Sequence, residues 1–229
     1  MKAFLRSLIS KRPQAGILPK IDLSSLVTCQ QCQLTVIEPA VAIGNVNFYE
    51  LLVIVFVVQA RRPKALFEIG TFDGRTTLNL AANTPKEGCV HTLDLPRTGL
   101  DQTRFNVEDL ERKLIDKPIS GSRFLGRPEA SKITQHYGDS AKFDFSLYFN
   151  QMDFVFVDAS HAYEYVLNDS RVALKLLRQG KGMILWHDYN RAEYWPGVTK
   201  ALDELYTRSP QFSRLKQIEG TSFACVVAD

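Results

Sequence analysis

The chain has 229 residues, 45% of them hydrophobic and 23% charged, which fits one folded domain with a small extension and excludes a disordered chain. A net charge of +3 and a pI near 8.6 are too mild for a nucleic-acid-binding stripe. The positive charge gathers at the start, where Lys2, Arg6, Lys11, Arg12 and Lys20 stand without an acid, so the other 209 residues sum to −2.

Residues 1–46 read as an irregular, basic N-terminal extension, broken by Pro13, Pro19 and Pro39. Met1 to Ser10 fits a short amphipathic turn or two with Phe4, Leu5, Leu8 and Ile9 on one side, and Arg6 interrupts it too early for a secretory signal. Cys29-x-x-Cys32 has no second Cys pair or nearby His to complete a zinc site, and is expected to be two incidental thiols of a reducing, cytoplasmic protein. The most apolar run, Leu51 to Val58, is eight residues long against the ~20 that span a bilayer, so no transmembrane segment is expected.

Residues 47–229 form the predicted domain. A helix over 47–60, capped by Asn45 or Asn47, comes first. Strand and helix then alternate: strand 64–69, helix 75–82, strand 89–93, helix 107–115, strand 132–137 and strand 153–157. The stripe Tyr163, Val166, Leu167, Ser170, Leu174 and Leu177 marks the strongest helix, followed by strand 182–186 and a helix over 197–207. Strands near 212–218 and 222–227 meet at Glu219-Gly220 in a hairpin. This order predicts an α/β fold with a doubly wound, mostly parallel, seven-stranded sheet ending in an antiparallel hairpin.

Ligands of such sheets sit beyond the carboxyl ends of the strands. Glu68, Asp94, Asp139, Asp158 and Asp188 stand at or near five such ends. One acid there is an ordinary helix cap; five crowded on one rim repel unless a cation or ligand offsets them.

The stretch Glu68-Ile69-Gly70-Thr71-Phe72-Asp73-Gly74 is a strand–glycine turn–helix joint, and Asp94 follows Gly74 by 20 residues, where an acid grips ribose hydroxyls. A nucleoside-bearing cofactor is expected. Nicotinamide dinucleotides ask for Gly-x-Gly-x-x-Gly and a helix start free of carboxylates, whereas this joint has Gly-x-x-x-Gly with Glu68 and Asp73 beside it. S-adenosylmethionine carries no phosphate and has cationic sulfonium and ammonium groups, so the charge favours it.

Glu68-x-Gly70-x-x-x-Gly74, Asp94, Gly138-Asp139-Ser140 and Asp158 together resemble a class I S-adenosylmethionine-dependent methyltransferase with its Rossmann-like fold. The run from Asp153 to Tyr189 is similar to the branch termed methyltransferase domain 24, which resembles sugar and small-molecule O-methyltransferases. The resemblance implies that Glu68, Gly70, Thr71 and Gly74 border the methionine part of S-adenosylmethionine and that Asp94 holds the ribose. It places Asp139 and Ser140 at the adenine and Asp158 beside the methyl. It also implies a homodimer formed through N-terminal helices.

A hydroxyl acceptor must lose a proton. His161 is the first candidate base, and His187 and Asp188 follow; in each case an ordinary structural role is the competing explanation. The resemblance also raises a divalent metal held by Asp158 and Asp188. In such enzymes the second position is typically a pair of acids, and His187 in its place is a poor partner for Mg²⁺. A softer divalent ion bound by Asp158, His161 and Asp188 is one alternative, and metal-free base catalysis is another. Tyr163, Tyr189, Tyr194 and Trp195 would stack on an acceptor, while Arg97, Arg104, Arg112, Arg123 and Arg127 suit either an anionic acceptor or a solvated face. The expected function is O-methylation of a small molecule or glycosyl group. The alternatives are a non-catalytic S-adenosylmethionine- or nucleoside-binding protein and an NAD-linked oxidoreductase.

Overall fold

A computed structural model describes residues 15–27 and 32–228; the expectations for Met1 to Ser10 and for Cys29 fall outside these residues. Cys32 is disulfide-bonded, which corrects its reading as an incidental thiol.

The strands are β1 (Lys20–Ile21), β2 (Ala65–Ile69), β3 (Cys89–Asp94), β4 (Ile133–Tyr137), β5 (Phe154–Val157), β6 (Gly182–Trp186), β7 (Lys216–Ile218) and β8 (Ala224–Ala228). They form one sheet in the order β1-β7-β8-β6-β5-β2-β3-β4. Strands β2 to β6 pair in parallel, and β8 runs antiparallel to both β6 and β7. The strand order reverses between β2 and β5, which opens a crevice at their carboxyl ends.

The sheet has eight strands where the sequence predicts seven. Pro19 and Ile21 accept backbone bonds from Gln217 (2.9 Å) and Glu219 (3.0 Å), which adds β1 in parallel beside β7. Two residues are too few for a period-2 pattern to announce a strand. The described part of the 1–46 extension therefore joins the sheet of the 47–229 unit, with Leu18, Leu26, Val27 and Val46 buried.

Two helical layers cover the sheet. Helices α1 (Phe48–Arg61) and α2 (Arg75–Asn83) bury their apolar faces on one side, with Leu51, Ile54, Val58, Leu80 and Ala81 against Leu66 and Phe156. Helix α1 is rich in β-branched residues, so burial rather than propensity holds it. Asn47 caps it by accepting the Glu50 N–H at 2.9 Å. Helices α4 (Tyr163–Leu176) and α5 (Pro196–Arg208) cover the other side through Val166, Ala173, Val198 and Leu202. The buried face of α4 is rotated from the predicted stripe, because it takes in Tyr165 and Asp169 while Tyr163 and Leu174 are only half-buried. Asp169 reaches inward to Asn168 (2.9 Å), and burial pushes its carboxyl up to about 7. The short α3 (Asp109–Ile115) lies in the β3–β4 connection.

Helix α2 also binds the chain that precedes the domain. Asn83 exchanges two hydrogen bonds with the backbone of Thr35 (3.0 and 2.7 Å), and Asn79 does the same with Ile37 (2.8 and 2.9 Å). The Arg75 guanidinium donates to the carbonyls of Glu38 (2.8 Å), Pro39 (3.0 Å) and Val46 (2.9 Å). The spacing explains the fit: one helical turn rises about 5.4 Å, close to two residues of extended chain at about 3.3 Å each. This clamp holds residues 43–46 as one wall of the crevice.

Candidate active site

The crevice is a cavity of about 350 Å³ over the carboxyl ends of β2 to β6. Its floor depends on Gly70. That residue has φ +106°, and a Cβ there would stand 2.1 Å from the Asp158 carbonyl oxygen, so no other residue fits between β2 and β5.

Gly70, Thr71, Asp94, Asp139, Ser140 and Asp158 all line the cavity. Asp94 accepts the Phe72 N–H at 3.1 Å and the Ser120 hydroxyl, and pairs with Lys117 Nζ at 2.6 Å. Asp139 accepts from the Arg104 N–H (2.7 Å), the Ala141 N–H (2.9 Å) and the Tyr165 hydroxyl (2.9 Å). Thr71 shares a 2.6 Å hydroxyl contact with Thr92.

Glu68 and Gly74 do not line it. Glu68 is fully buried on the helix side of β2, where its Oε2 accepts from Thr92 Oγ1 (2.6 Å) and Thr77 Oγ1 while Oε1 has no partner. Burial pushes its carboxyl up to about 8, so it is protonated at neutral pH and adds no charge to the turn. Gly74 has φ +86° and caps α2; its α-carbon packs on Gly121 and Phe124. Asp73 is neutralised by Arg123 (2.7 Å) and also accepts the Arg75 N–H (3.0 Å). The acidity inferred for the glycine turn therefore lies elsewhere, at the ends of β5 and β6.

There the structure brings together Glu50, Glu111, Asp158, His161, His187 and Asp188. His161 Nδ1 lies 2.7 Å from Glu111 Oε1, and its Nε2 lies 2.9 Å from Asp188 Oδ2. His187 Nδ1 lies 3.2 Å from Asp158 and 3.1 Å from Asp188, and its Nε2 lies 3.1 Å from Glu50 Oε2. Burial alone would pull the His161 imidazole down, but the Asp188 and Glu111 carboxylates outweigh it and raise it to about 9. His187 is likewise held well above its ordinary value by Asp158 and Asp188, against the pull of burial. The same two imidazoles hold Asp188 far below the usual carboxylate range despite its burial. Neither imidazole thus presents a free lone pair in this arrangement, which differs from the expectation of His161 as a ready base.

Sequence reasoning missed Glu50 and Glu111. Glu111 also accepts from Ser160 Oγ (2.9 Å) and from the His161 N–H, so one buried carboxylate from α3 fixes the loop that carries His161. Nothing in the sequence links positions 111 and 161. Glu50 left a faint signal, as a single charge opening the most apolar helix of the chain.

The aromatic expectations divide. Trp195 stacks on His161 with ring centroids 3.9 Å apart and 17° between planes, and Tyr194 stands 59% exposed at the mouth. Tyr189 is fully buried and donates to Asp203 (2.6 Å), while Tyr163 donates to Glu204 (2.7 Å) away from the cavity. The five arginines of 97–127 all bind groups of their own chain. Arg97 pairs with Asp116, Arg112 with Asp101, Arg123 with Glu38 and Asp73, Arg127 with Glu38, and Arg104 donates to the Ala141 carbonyl.

The family model described as a methyltransferase domain matches residues 67–189. No curated protein is significantly similar to the chain. Among solved structures, a methyltransferase of Podospora anserina with S-adenosylhomocysteine bound is 17% identical, with a TM-score of 0.59 over 81% of this chain and 80% of that one. The tomaymycin-synthesis O-methyltransferase of Streptomyces achromogenes, in complex with S-adenosylmethionine, is 18% identical, with a TM-score of 0.55 over 99% of this chain and 95% of that one. An O-methyltransferase of Bacillus cereus with S-adenosylhomocysteine is 19% identical, with a TM-score of 0.54 over 81% of this chain and 84% of that one. At these identities the likeness is one of fold.

Proposed function

This chain belongs to the methyltransferase domain family, and from that premise we propose that it is an S-adenosylmethionine-dependent methyltransferase acting on an oxygen of a small molecule or glycosyl group. The observation that carries the reading is Asp94, an acid at the end of β3 in the cavity wall, one strand away from the Gly70 turn. In this reading Asp94 binds the ribose, Gly70 and Thr71 border the methionine part, and Asp139 and Ser140 border the adenine. Asp158 lies toward the methyl. Glu68 supports the turn from beneath rather than touching the cofactor, and Gly74 does so by starting α2.

S-adenosylmethionine supplies a methyl group on a sulfonium, open to in-line attack. The chain's task is to hold the acceptor oxygen in line and to remove its proton. Asp188 is the carboxylate that both imidazoles reach, with Glu111 and Glu50 orienting the two rings, so the cluster takes the acceptor's proton only once one imidazole has given up its own.

The residues also fit a divalent cation. Donor atoms of Asp158, His187 and Asp188 lie within 4.8 Å of one another, and Glu50 at His187 Nε2 leaves Nδ1 facing the other two. Two carboxylate oxygens and an imidazole suit a borderline ion such as Mn²⁺ or Zn²⁺ better than Mg²⁺. Such an ion would lower the pKa of the acceptor hydroxyl.

An oxidoreductase reading finds no support. Asp73 already accepts the Arg75 N–H at the start of α2, where a dinucleotide's diphosphate would seek donors. The mild charge supports a small-molecule acceptor over a nucleic acid. No helix among the described residues is long and apolar enough to cross a membrane, and a cytoplasmic location belongs to the same proposal. So does a homodimer, which Phe48 and Tyr49, exposed at the start of α1, favour.

The test is thermal. S-adenosylhomocysteine at about 100 times its Kd should add about 2.7 kcal/mol of stability, which raises the Tm by roughly 5–10 °C for a chain this size. Asp94→Ala should remove most of that rise. No rise in the wild-type protein would refute the proposal.

A further inference from the structure

Among the described residues, every basic group in the cavity but one is already engaged. Lys117 is paired with Asp94, His161 with Glu111 and Asp188, and His187 with Glu50, Asp158 and Asp188. Arg191 lines the same cavity, and among the described residues its guanidinium has no hydrogen bond, ion pair or ring contact. It stands at the mouth of a site whose other charges are mostly acidic.

The loop that carries it is firmly held. Tyr189 is buried and accepts the Leu18 N–H at 2.9 Å, while the Asn190 N–H donates to Thr199 Oγ1 at 3.0 Å. The Asn190 side chain in turn accepts the Gly16 N–H at 2.9 Å. The Arg191 carbonyl receives the N–H groups of Tyr194 (2.9 Å) and Trp195 (2.8 Å). Asp188 (φ 59°) and Asn190 (φ 63°) both adopt the left-handed region. Asp and Asn adopt that conformation more readily than other non-glycine residues, and here the hydrogen bonds of Asn190 and Tyr189 hold it. The backbone of Arg191 is thus fixed at the rim while its side chain stays unpartnered.

Part of the same cavity's lining is apolar and uncovered. Ile43 is 89% exposed, Tyr194 59% and Leu110 49%, and all three line the cavity. A flat apolar body would cover these side chains, and an oxyanion on it would meet Arg191.

We infer that the acceptor carries an oxyanion, a carboxylate or a phosphate, bound by Arg191, on a flat apolar body lying against Tyr194 and Leu110. This inference rests on the methyltransferase reading and narrows its substrate class. The oxyanion is a handle, not the attacked group. A separate hydroxyl oxygen forms the new C–O bond and gives its proton to His161 or His187, whichever imidazole has first lost its own proton to solvent. The C–S bond breaks with its electron pair leaving on sulfur, so the oxyanion keeps its charge throughout.

The test uses the full-length protein saturated with S-adenosylhomocysteine and three probes: para-hydroxybenzoate, para-hydroxyphenyl phosphate and para-hydroxybenzyl alcohol. Binding is followed by calorimetry. At least one of the two anions should bind about tenfold or more tightly than the neutral alcohol, and which one does so identifies the handle. Arg191→Ala should erase the preference and Arg191→Lys should retain part of it. No preference in the wild-type protein, a preference that survives Arg191→Ala, or no binding of any probe overturns the inference. Should S-adenosylhomocysteine itself fail to bind, the methyltransferase reading falls, and the same comparison on cofactor-free protein still decides the role of Arg191.

Discussion

Glu50 Oε2 stands 3.1 Å from His187 Nε2, so the first turn of α1 orients an imidazole at the end of β6. The other carboxylate oxygen of Glu50 accepts the Ser222 N–H (2.8 Å) and hydroxyl (2.7 Å), which leaves the carboxylate little freedom to turn. Burial opposes its ionisation, but the bonds and charge of His187, with Ser222, hold it down at about 2. It is therefore an anion at any working pH, and it keeps the His187 proton on Nε2 whenever Nδ1 is unprotonated.

That arrangement predicts a metal affinity that depends on a residue outside the ligand set. Mn²⁺ should bind the wild-type protein more tightly than Mg²⁺. Glu50→Gln should weaken Mn²⁺ binding about 10- to 100-fold, because the imidazole loses its orienting anion. Asp188→Ala should weaken it further by removing a ligand. Calorimetric titration with each ion checks this, and equal Mn²⁺ affinity in Glu50→Gln and wild type would contradict it.

Glu68 yields a pH prediction. Its carboxyl is raised from an ordinary 4.5 to about 8, so the folded state favours the protonated form. That contribution to stability is complete below pH 4.5 and is lost as pH rises through about 8, at a cost on the order of a few kcal/mol. Glu68→Gln keeps the oxygen that accepts from Thr77 and Thr92 and has no proton to lose. Its Tm should fall less between pH 6 and pH 8.5 than the wild-type Tm. Its affinity for S-adenosylhomocysteine at pH 7 should stay within about threefold, because one neutral group replaces another. A tenfold loss of affinity at that pH would instead restore a carboxylate charge beneath the turn.

The same residue shows why part of the site was legible and part was not. Strand ends were visible because glycines and acids follow short apolar runs, and all five parallel strands of the central sheet stand where those runs predict. Which way a side chain points was not visible for β2. Leu66, Phe67, Glu68 and Ile69 are all buried, and a strand covered on both faces has no polar alternation to separate ligand side from helix side. Glu111 and His161 meet across 50 residues, and Asn83 and Thr35 across 48, so neither contact leaves a local pattern. Arg191 went unremarked because a cation is informative only once its neighbours are known to be engaged elsewhere.

The clamp on α2 carries the last prediction. Asn79 is fully buried, accepts the Ile37 N–H, and donates to the carbonyls of Ile37 and Arg75. Asn79→Ala leaves both backbone groups of Ile37 without partners in a part-buried site, at a cost of about 1–3 kcal/mol per unsatisfied group where water cannot replace the lost partner. The Tm should drop by roughly 4–24 °C for a chain of this length. Because residues 43–46 wall the cavity, the loss should not stay local: affinity for S-adenosylhomocysteine should fall as well, and protease cleavage should appear first between residues 35 and 46. Lys132 provides the control. Its ammonium binds the carbonyls of Ala81 (3.1 Å) and Thr84 (2.7 Å) on either side of Asn83, so Lys132→Met should lower the Tm without removing a partner of Ile37. If Asn79→Ala and Lys132→Met cost similar stability but only the former weakens cofactor binding and exposes 35–46, the clamp shapes the site. If both variants lose cofactor affinity in proportion to stability, the clamp is a structural tie and nothing more.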